Sequence, residues 1–126
     1  MGEIKLLVVD SNPAVLDGLC SIIAAQPDME IAGVAQNILE ATDKAKELRP
    51  NIILMDANMP EAGGIKATRW IKKNIPEINI LVLTIYPGYM GESFAAGADG
   101  YLMKDCHRTD LLETIRNIMA ERAVSC

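Results

Sequence analysis

The chain has 126 residues, half of them hydrophobic, and a formal net charge of −5. That length accommodates one domain with a sizeable core, and a single domain over residues 1–126 is expected. The acidic balance argues against nucleic-acid binding as a main function, because such surfaces need clustered Lys and Arg.

The first apolar run, Ile4-Lys5-Leu6-Leu7-Val8-Val9, leads straight into Asp10. It reads as a strand buried on both faces that ends on a carboxylate. Asn12-Pro13 then opens a helix, since Asn is a good N-cap and Pro suits the first helical position. Val15, Leu19, Ile22 and Ile23 follow at helical spacing, and Gln26-Pro27 stops the run. Met29 to Ala35 is a second strand, with Ile31 and Val34 expected in the core. Asn37 and Glu40 form a capping-box pattern for a helix running to about Leu48, which Arg49-Pro50 closes.

Ile52-Ile53-Leu54-Met55 is the most apolar strand and runs into Asp56, followed by the polar break Ala57-Asn58-Met59-Pro60. Glu61-Ala62-Gly63-Gly64 can turn tightly. Ile65, Thr68, Ile71 and Ile75 mark the next helix, with Trp70 packing beside its buried face, and Pro76 closes it. Ile80 to Leu83 is a fourth strand ending in Thr84. Tyr86-Pro87-Gly88-Tyr89-Met90-Gly91 is poor helix material, so a fourth helix here should be short or irregular. Gly97 and Gly100 are expected to serve the turn into a fifth strand, Gly100 to Met103, which ends at Lys104. Leu111, Ile115, Ile118 and Met119 define the last helix.

Strands alternating with amphipathic helices predict an α/β fold, with a parallel sheet covered by helices on both faces and right-handed crossovers. In such sheets ligands bind at the carboxyl edge. The strand ends then bring Asp10, Asp56, Thr84 and Lys104 to one cleft. Two carboxylates close together repel and call for a cation. Oxygen ligands without His or Cys favour a hard ion such as Mg²⁺, which takes one or two carboxylates and fills its other sites with water and phosphate oxygens. An Asp beside Mg²⁺ can attack a phosphoryl group, with Lys104 pairing one phosphoryl oxygen and Thr84 hydrogen-bonding another.

Other residues read as structural. Cys20, Cys106 and Cys126 are odd in number and far apart, which fits neither a disulfide framework nor a zinc motif. A reducing cytoplasm is the expected setting, since no run reaches membrane-spanning length and the N-terminus enters a strand at once. His107 precedes the last helix and should be exposed.

The stretches LLVVDSNPAVLDGL, RPNIILMDANMPEAGGIKATR, ILVLT and AAGADGYLMKD resemble the receiver domain of two-component response regulators, most closely receivers that precede a LuxR-type helix-turn-helix domain. The resemblance covers essentially the whole chain. It implies a flavodoxin-like, doubly wound five-stranded sheet of order 2-1-3-4-5 and a phospho-accepting signalling switch rather than an enzyme. It makes Asp56 the phospho-acceptor and Asp10 an acidic-pocket residue. Mg²⁺ would be held by Asp10, Asp56 and the main-chain carbonyl of Asn58. Thr84 and Lys104 would sense the phosphoryl group, and Tyr101 would be the aromatic switch. A sensor histidine kinase, an output domain or target outside this chain, and a homodimer are the partners implied, with regulation through the face of the fourth helix, fifth strand and fifth helix.

Three features depart from that pattern. Ser11 stands where the family carries a second acid, which removes a charge and a metal ligand. Ile85 stands where the family has a small residue, so crowding of the phosphoryl position, or of Thr84, is expected. The segment from Thr84 to Lys104 is about two residues short. These departures favour one rival reading, a receiver-like interaction module that works without phosphate. A second rival, a phosphatase using Asp56 as nucleophile, is disfavoured by Asn58, where haloacid-dehalogenase-like enzymes carry a second Asp.

Overall fold

Residues alternate between the two faces of a strand, and the first strand, β1 (Ile4–Val9), puts this to use. Leu6 and Val8 enter one apolar core, and Leu7 and Val9 enter another on the opposite face. The computed structural model describes residues 3–125; Cys126 lies outside them. Along the chain follow α1 (Pro13–Ala24), β2 (Met29–Ala35), α2 (Ile38–Leu48), β3 (Ile52–Asp56), α3 (Gly63–Asn74), β4 (Asn79–Thr84), α4 (Met90–Ala95), β5 (Gly100–Met103) and α5 (Arg108–Ser125). The five strands pair in parallel in the order β2-β1-β3-β4-β5. This is the order that the resemblance implies.

The two cores account for the helices on both faces. Leu7, Val9, Ile53, Met55, Ile80 and Val82 pack with Ala41 and Ala45 of α2 and with Ile65, Ala67 and Ile71 of α3. Leu6, Val8, Ile52, Leu54, Leu81 and Leu83 pack with Leu16 and Ile23 of α1 and with Leu111, Ile115 and Ile118 of α5. The central strands β3 and β4 are buried along their whole length, which is why they read as unbroken apolar runs rather than alternating ones.

Caps set the helix starts. Asn12 Oδ1 accepts from the Ala14 N–H at 2.9 Å, with Pro13 in the first turn. Asn37 Oδ1 accepts from the Glu40 N–H at 2.9 Å, and Glu40 Oε1 accepts from the Gln36 N–H at 2.8 Å. Both caps satisfy amides that the helix leaves without partners. The fourth helix is short, as its composition suggests: Pro87–Tyr89 forms a single 3₁₀ turn, and α4 has only six residues.

Three packing expectations are corrected. Val34 is exposed and Ile31 only half-buried, while Met29 and Ala35 are the buried residues of β2. β2 is an edge strand, and its register with β1 slips between Leu6 and Leu7, which pair with Ile31 and Gly33. A bulge of this kind breaks the alternation on which a period-two reading depends. On α1 the deepest residues are Leu16 and Ile23, with Val15, Leu19 and Ile22 half-buried. Gly97 does take a turn conformation, with φ +105°. Gly100 instead lies within β5, where an added Cβ would stand 2.9 Å from Ile118 Cδ1 and 3.0 Å from Leu81 Cδ1. It lets α5 lie close against the sheet.

Candidate functional site

β1, β3, β4 and β5 all end at the same edge of the parallel sheet, which brings Asp10, Asp56, Thr84 and Lys104 together. Asp10 and Asp56 are 1% and 2% exposed. Each is fixed by a turn amide two residues further on. Asn12 N–H donates to Asp10 Oδ1 at 2.9 Å, and Asn58 N–H donates to Asp56 Oδ1 at 2.8 Å. Lys104 Nζ sits between the two acids, 2.7 Å from Asp10 Oδ2 and 2.9 Å from Asp56 Oδ1. The Lys104 backbone N–H donates to Thr84 O at 2.7 Å, so the residue after β5 is tied to the end of β4 before its side chain reaches inward.

Burial works against the Lys104 charge, but its hydrogen bonds to Asp10 and Asp56, and their charges, outweigh that and raise the ammonium above the ordinary lysine range. No described residue hydrogen-bonds Asp56 Oδ2, which leaves that oxygen as the one open to a reactant. Gly64 lies against the Asp56 backbone: a Cβ there would fall 1.9 Å from the Asp56 carbonyl oxygen. Only glycine lets the start of α3 press against the end of β3 in this way.

The Thr84 side chain is fully buried. Its hydroxyl lies 3.1 Å from Asn58 Oδ1 and 3.1 Å from Tyr86 O, and it accepts from Tyr86 N–H at 3.0 Å. The Ile85 N–H donates to Asn58 Oδ1 at 2.9 Å. Tyr101 Oη donates to Tyr86 O at 2.8 Å. Tyr86 O is thus within reach of both the Thr84 and Tyr101 hydroxyls, with the single Thr84 hydrogen able to serve either it or Asn58 Oδ1, a physical link between β4, β5 and the start of the α4 segment.

Ile85 follows Thr84 directly. Its peptide N–H is held by Asn58, and the residue is 53% exposed. Ser11 is exposed at the rim. The sequence reading also missed the Asn58 side chain, which binds Thr84 and Ile85; only its main-chain carbonyl was expected to matter. The residue's position two places after a strand-end acid was the available signal. His107 is exposed, as expected, and its Nδ1 accepts weakly from Thr109 N–H at the start of α5, 3.4 Å away. Cys20 and Cys106 are free and half-buried. Burial first, then nearby acids, pushes both thiols up and away from the reactive thiolate. Trp70 packs against the α2–α3 core, with Lys46 Nζ 5.5 Å from its ring centre.

A carboxylate pair bridged by a lysine at the carboxyl edge of a 2-1-3-4-5 sheet defines a class of α/β signalling domains that accept a phosphoryl group on an aspartate. The family model described as response regulator receiver domain matches residues 6–116, and the chain belongs to that family. It is 32% identical over 117 residues to the transcriptional regulatory protein LnrK of Bacillus subtilis, covering 91% of this chain and 53% of that protein. It is 37% identical over 115 residues to the response regulator protein VraR of Staphylococcus aureus, covering 90% of this chain and 55% of that protein. The chain thus spans about half the length of these curated relatives.

Among solved structures, a LuxR-family two-component response regulator from Aurantimonas sp. SI85-9A1 superposes with a TM-score of 0.90 at 31% identity, over 95% of this chain and 87% of that one. The response regulator domain of Thermotoga maritima CheB superposes with a TM-score of 0.86 at 33% identity, over 94% and 97%. The family consists of phospho-accepting switches that use Mg²⁺ and work with sensor kinases and output domains; its members are not generally enzymes. Among the described residues no helix is long and apolar enough to cross a membrane.

Proposed function

We propose that Asp56 is the phospho-acceptor of a two-component phosphorelay, and that its phosphorylation controls an output domain or partner outside this chain. The observation that carries this is the lysine bridge: one ammonium within 2.9 Å of two buried carboxylates at the site edge of the sheet. Asp56 Oδ2 attacks the phosphorus, forming a new P–O bond while the bond to the leaving group breaks and its electron pair departs with that group. Lys104 pairs with a phosphoryl oxygen and offsets the added charge. Thr84 Oγ1 and the Ile85 N–H, which meet at Asn58 Oδ1, are the donors proposed for the other phosphoryl oxygens.

The donor set fits Mg²⁺. Asp10 and Asp56 share one cation already, so they lie close enough to share another, and the Asn58 carbonyl adds a third oxygen. Mg²⁺ needs no more protein ligands than these, since water and phosphate complete its shell. When bound it would neutralise charge on the transferring phosphoryl group. The sensor histidine kinase is the proposed phosphoryl donor, and a homodimer and a cytoplasmic setting belong to the same reading. The chain is proposed to be a single receiver domain with no direct nucleic-acid contact of its own.

One observation favours the rival reading, a module that acts without phosphate. With serine at position 11, no group of three or more His, Cys, Asp or Glu able to hold a metal occurs among the described residues. Acetyl phosphate with Mg²⁺, followed by intact mass, separates the two. A single labile phosphoryl adduct that is lost in Asp56→Asn is the expected result; its absence from the native chain would favour the phosphate-independent module.

A further inference from the structure

We infer that the Asn58 carboxamide is an internal competitor for the phosphoryl group, occupying in the unphosphorylated protein the donors that a phosphoryl group on Asp56 would use. The inference rests on Asp56 being the acceptor and concerns how that site is regulated. Asn58 Oδ1 takes the Ile85 N–H at 2.9 Å and faces the Thr84 hydroxyl at 3.1 Å. The amide orientation is forced by chemistry: an Asn58 Nδ2 in that place would set an NH₂ donor against the Ile85 N–H, which can only donate. The carboxamide oxygen has two lone pairs: the Ile85 N–H takes one, and the other faces the Thr84 hydroxyl, whose single hydrogen serves either Asn58 Oδ1 or Tyr86 O, each 3.1 Å away.

The same residue's backbone N–H holds Asp56 Oδ1 at 2.8 Å. Asn58 is therefore anchored to the acceptor by its main chain while its side chain reaches across to the end of β4. A phosphoryl group growing from Asp56 enters the space between them. It brings three charged oxygens, and hydrogen bonds to charged acceptors are roughly twice as strong as those to a neutral amide. Thr84 Oγ1 and Ile85 N–H then leave Asn58 for the phosphoryl group. The single Thr84 hydroxyl hydrogen, until then divided between Asn58 Oδ1 and Tyr86 O, is committed to the phosphoryl group, which leaves Tyr86 O to Tyr101 Oη alone. Asn58 is a positioning residue in this scheme. It holds the β4–α4 junction in its unphosphorylated arrangement and sets how readily the acceptor is charged.

The test compares the full chain with Asn58→Ala, which deletes the competing acceptor, and Asn58→Asp, which keeps Oδ1 as an acceptor and adds charge. Both leave the main-chain N–H and carbonyl in place. Two readouts are taken: the rate of phosphorylation by acetyl phosphate with Mg²⁺, split into maximal rate and half-saturating concentration, and the solvent exchange of the Ile85 amide by NMR in the unphosphorylated protein.

Loss of one acceptor of this kind should raise the maximal rate about three- to tenfold in Asn58→Ala, with the Ile85 amide exchanging faster than in the native chain. Asn58→Asp should keep the Ile85 amide protected and charge more slowly than the native chain. Phosphorylation only after Asn58→Ala, with none in the native chain, would support the inference in its strongest form. A native chain that is phosphorylated, beside an Asn58→Ala variant that is no faster and has an unchanged Ile85 amide, would overturn the inference while leaving the acceptor assignment intact. If neither chain takes a phosphoryl group, the acceptor assignment fails and the inference falls with it.

Discussion

Asp10 and Asp56 are almost completely buried, and two carboxylates in such a place repel unless a cation lies between them. Lys104 is that cation in this structure. Replacing it with methionine would keep most of the stem's packing and leave two buried charges unbalanced. Removing one member of a buried ion pair typically costs about 3–5 kcal/mol. Lys104→Met is therefore expected to lose about 3 kcal/mol in urea unfolding at neutral pH. Asp10→Asn added to that variant should recover part of the loss, because it removes the repulsion; purely additive losses would show that the ammonium is not balancing the pair. The pH dependence follows from the raised Lys104 value. A cation held above its unfolded pKa stabilises fully below that pKa, about 10.4 for lysine, and the stabilisation is lost as pH rises through the folded value. The gap between native chain and variant should thus persist through mildly alkaline pH and close only in strong base.

Secondary elements were the most legible part of the chain, and the reasons are local. α2 starts after Asn37 and ends at Leu48, and β2 and β5 have the boundaries read from the sequence. In each case a cap, a proline or a glycine marks the end. What could not be read was the meeting of distant backbones. Nothing in Gly63-Gly64 says that the second glycine presses on the Asp56 carbonyl, a contact that exists only once α3 is folded back on the sheet. Gly64→Ala should accordingly cost about 3 kcal/mol or more, with NMR shifts concentrated at Asp56 and Ala57. Two residues earlier the opposite change helps. Ala62 is exposed and left-handed at φ 56°, so Ala62→Gly should stabilise by about 0.5–1 kcal/mol in thermal unfolding. α5 is tied down by Arg116, whose guanidinium donates to both Asp28 oxygens at 2.8 and 2.9 Å and to Gln26 Oε1 at 3.0 Å. The Arg116 hydrogen bonds hold the Asp28 carboxyl below its usual range. A lowered carboxyl stabilises above its unfolded pKa and loses that contribution as pH falls through the folded value. Arg116→Met should therefore be less stable than the native chain at neutral pH and converge with it below about pH 3.9. Both side chains are 41% exposed, and screening keeps the difference under about 1 kcal/mol.

The arrangement of the five strands explains why so much of the site could be read from the chain. A parallel sheet sends every strand's carboxyl end to one edge, so strand-end residues Asp10, Asp56, Thr84 and Lys104 had to converge once the alternation of strands and helices was recognised. The links among them run through side-chain and backbone atoms that no periodicity encodes: Asn58 Oδ1, the Ile85 N–H and Tyr86 O. Those links end in a part of the molecule with much exposed apolar surface. Ile85, Tyr86, Met90 and Phe94 are 53%, 58%, 52% and 48% exposed, and α4 has only six residues. β3 and β4, in contrast, are buried throughout. Segments with few buried contacts open at lower free energy than core strands. Amide exchange over residues 85–95 is therefore expected to run at least about a hundredfold faster than in β1, β3 and β4, with α4 opening while the sheet stays closed. In the proposed scheme a phosphoryl group on Asp56 would draw Thr84 and the Ile85 amide toward the acceptor, which should slow exchange over residues 85–90 and leave the core strands unchanged. Uniform slowing across the whole chain would instead mean that the phosphoryl group merely stabilises the fold, and that the β4–α4 junction is not the element it moves.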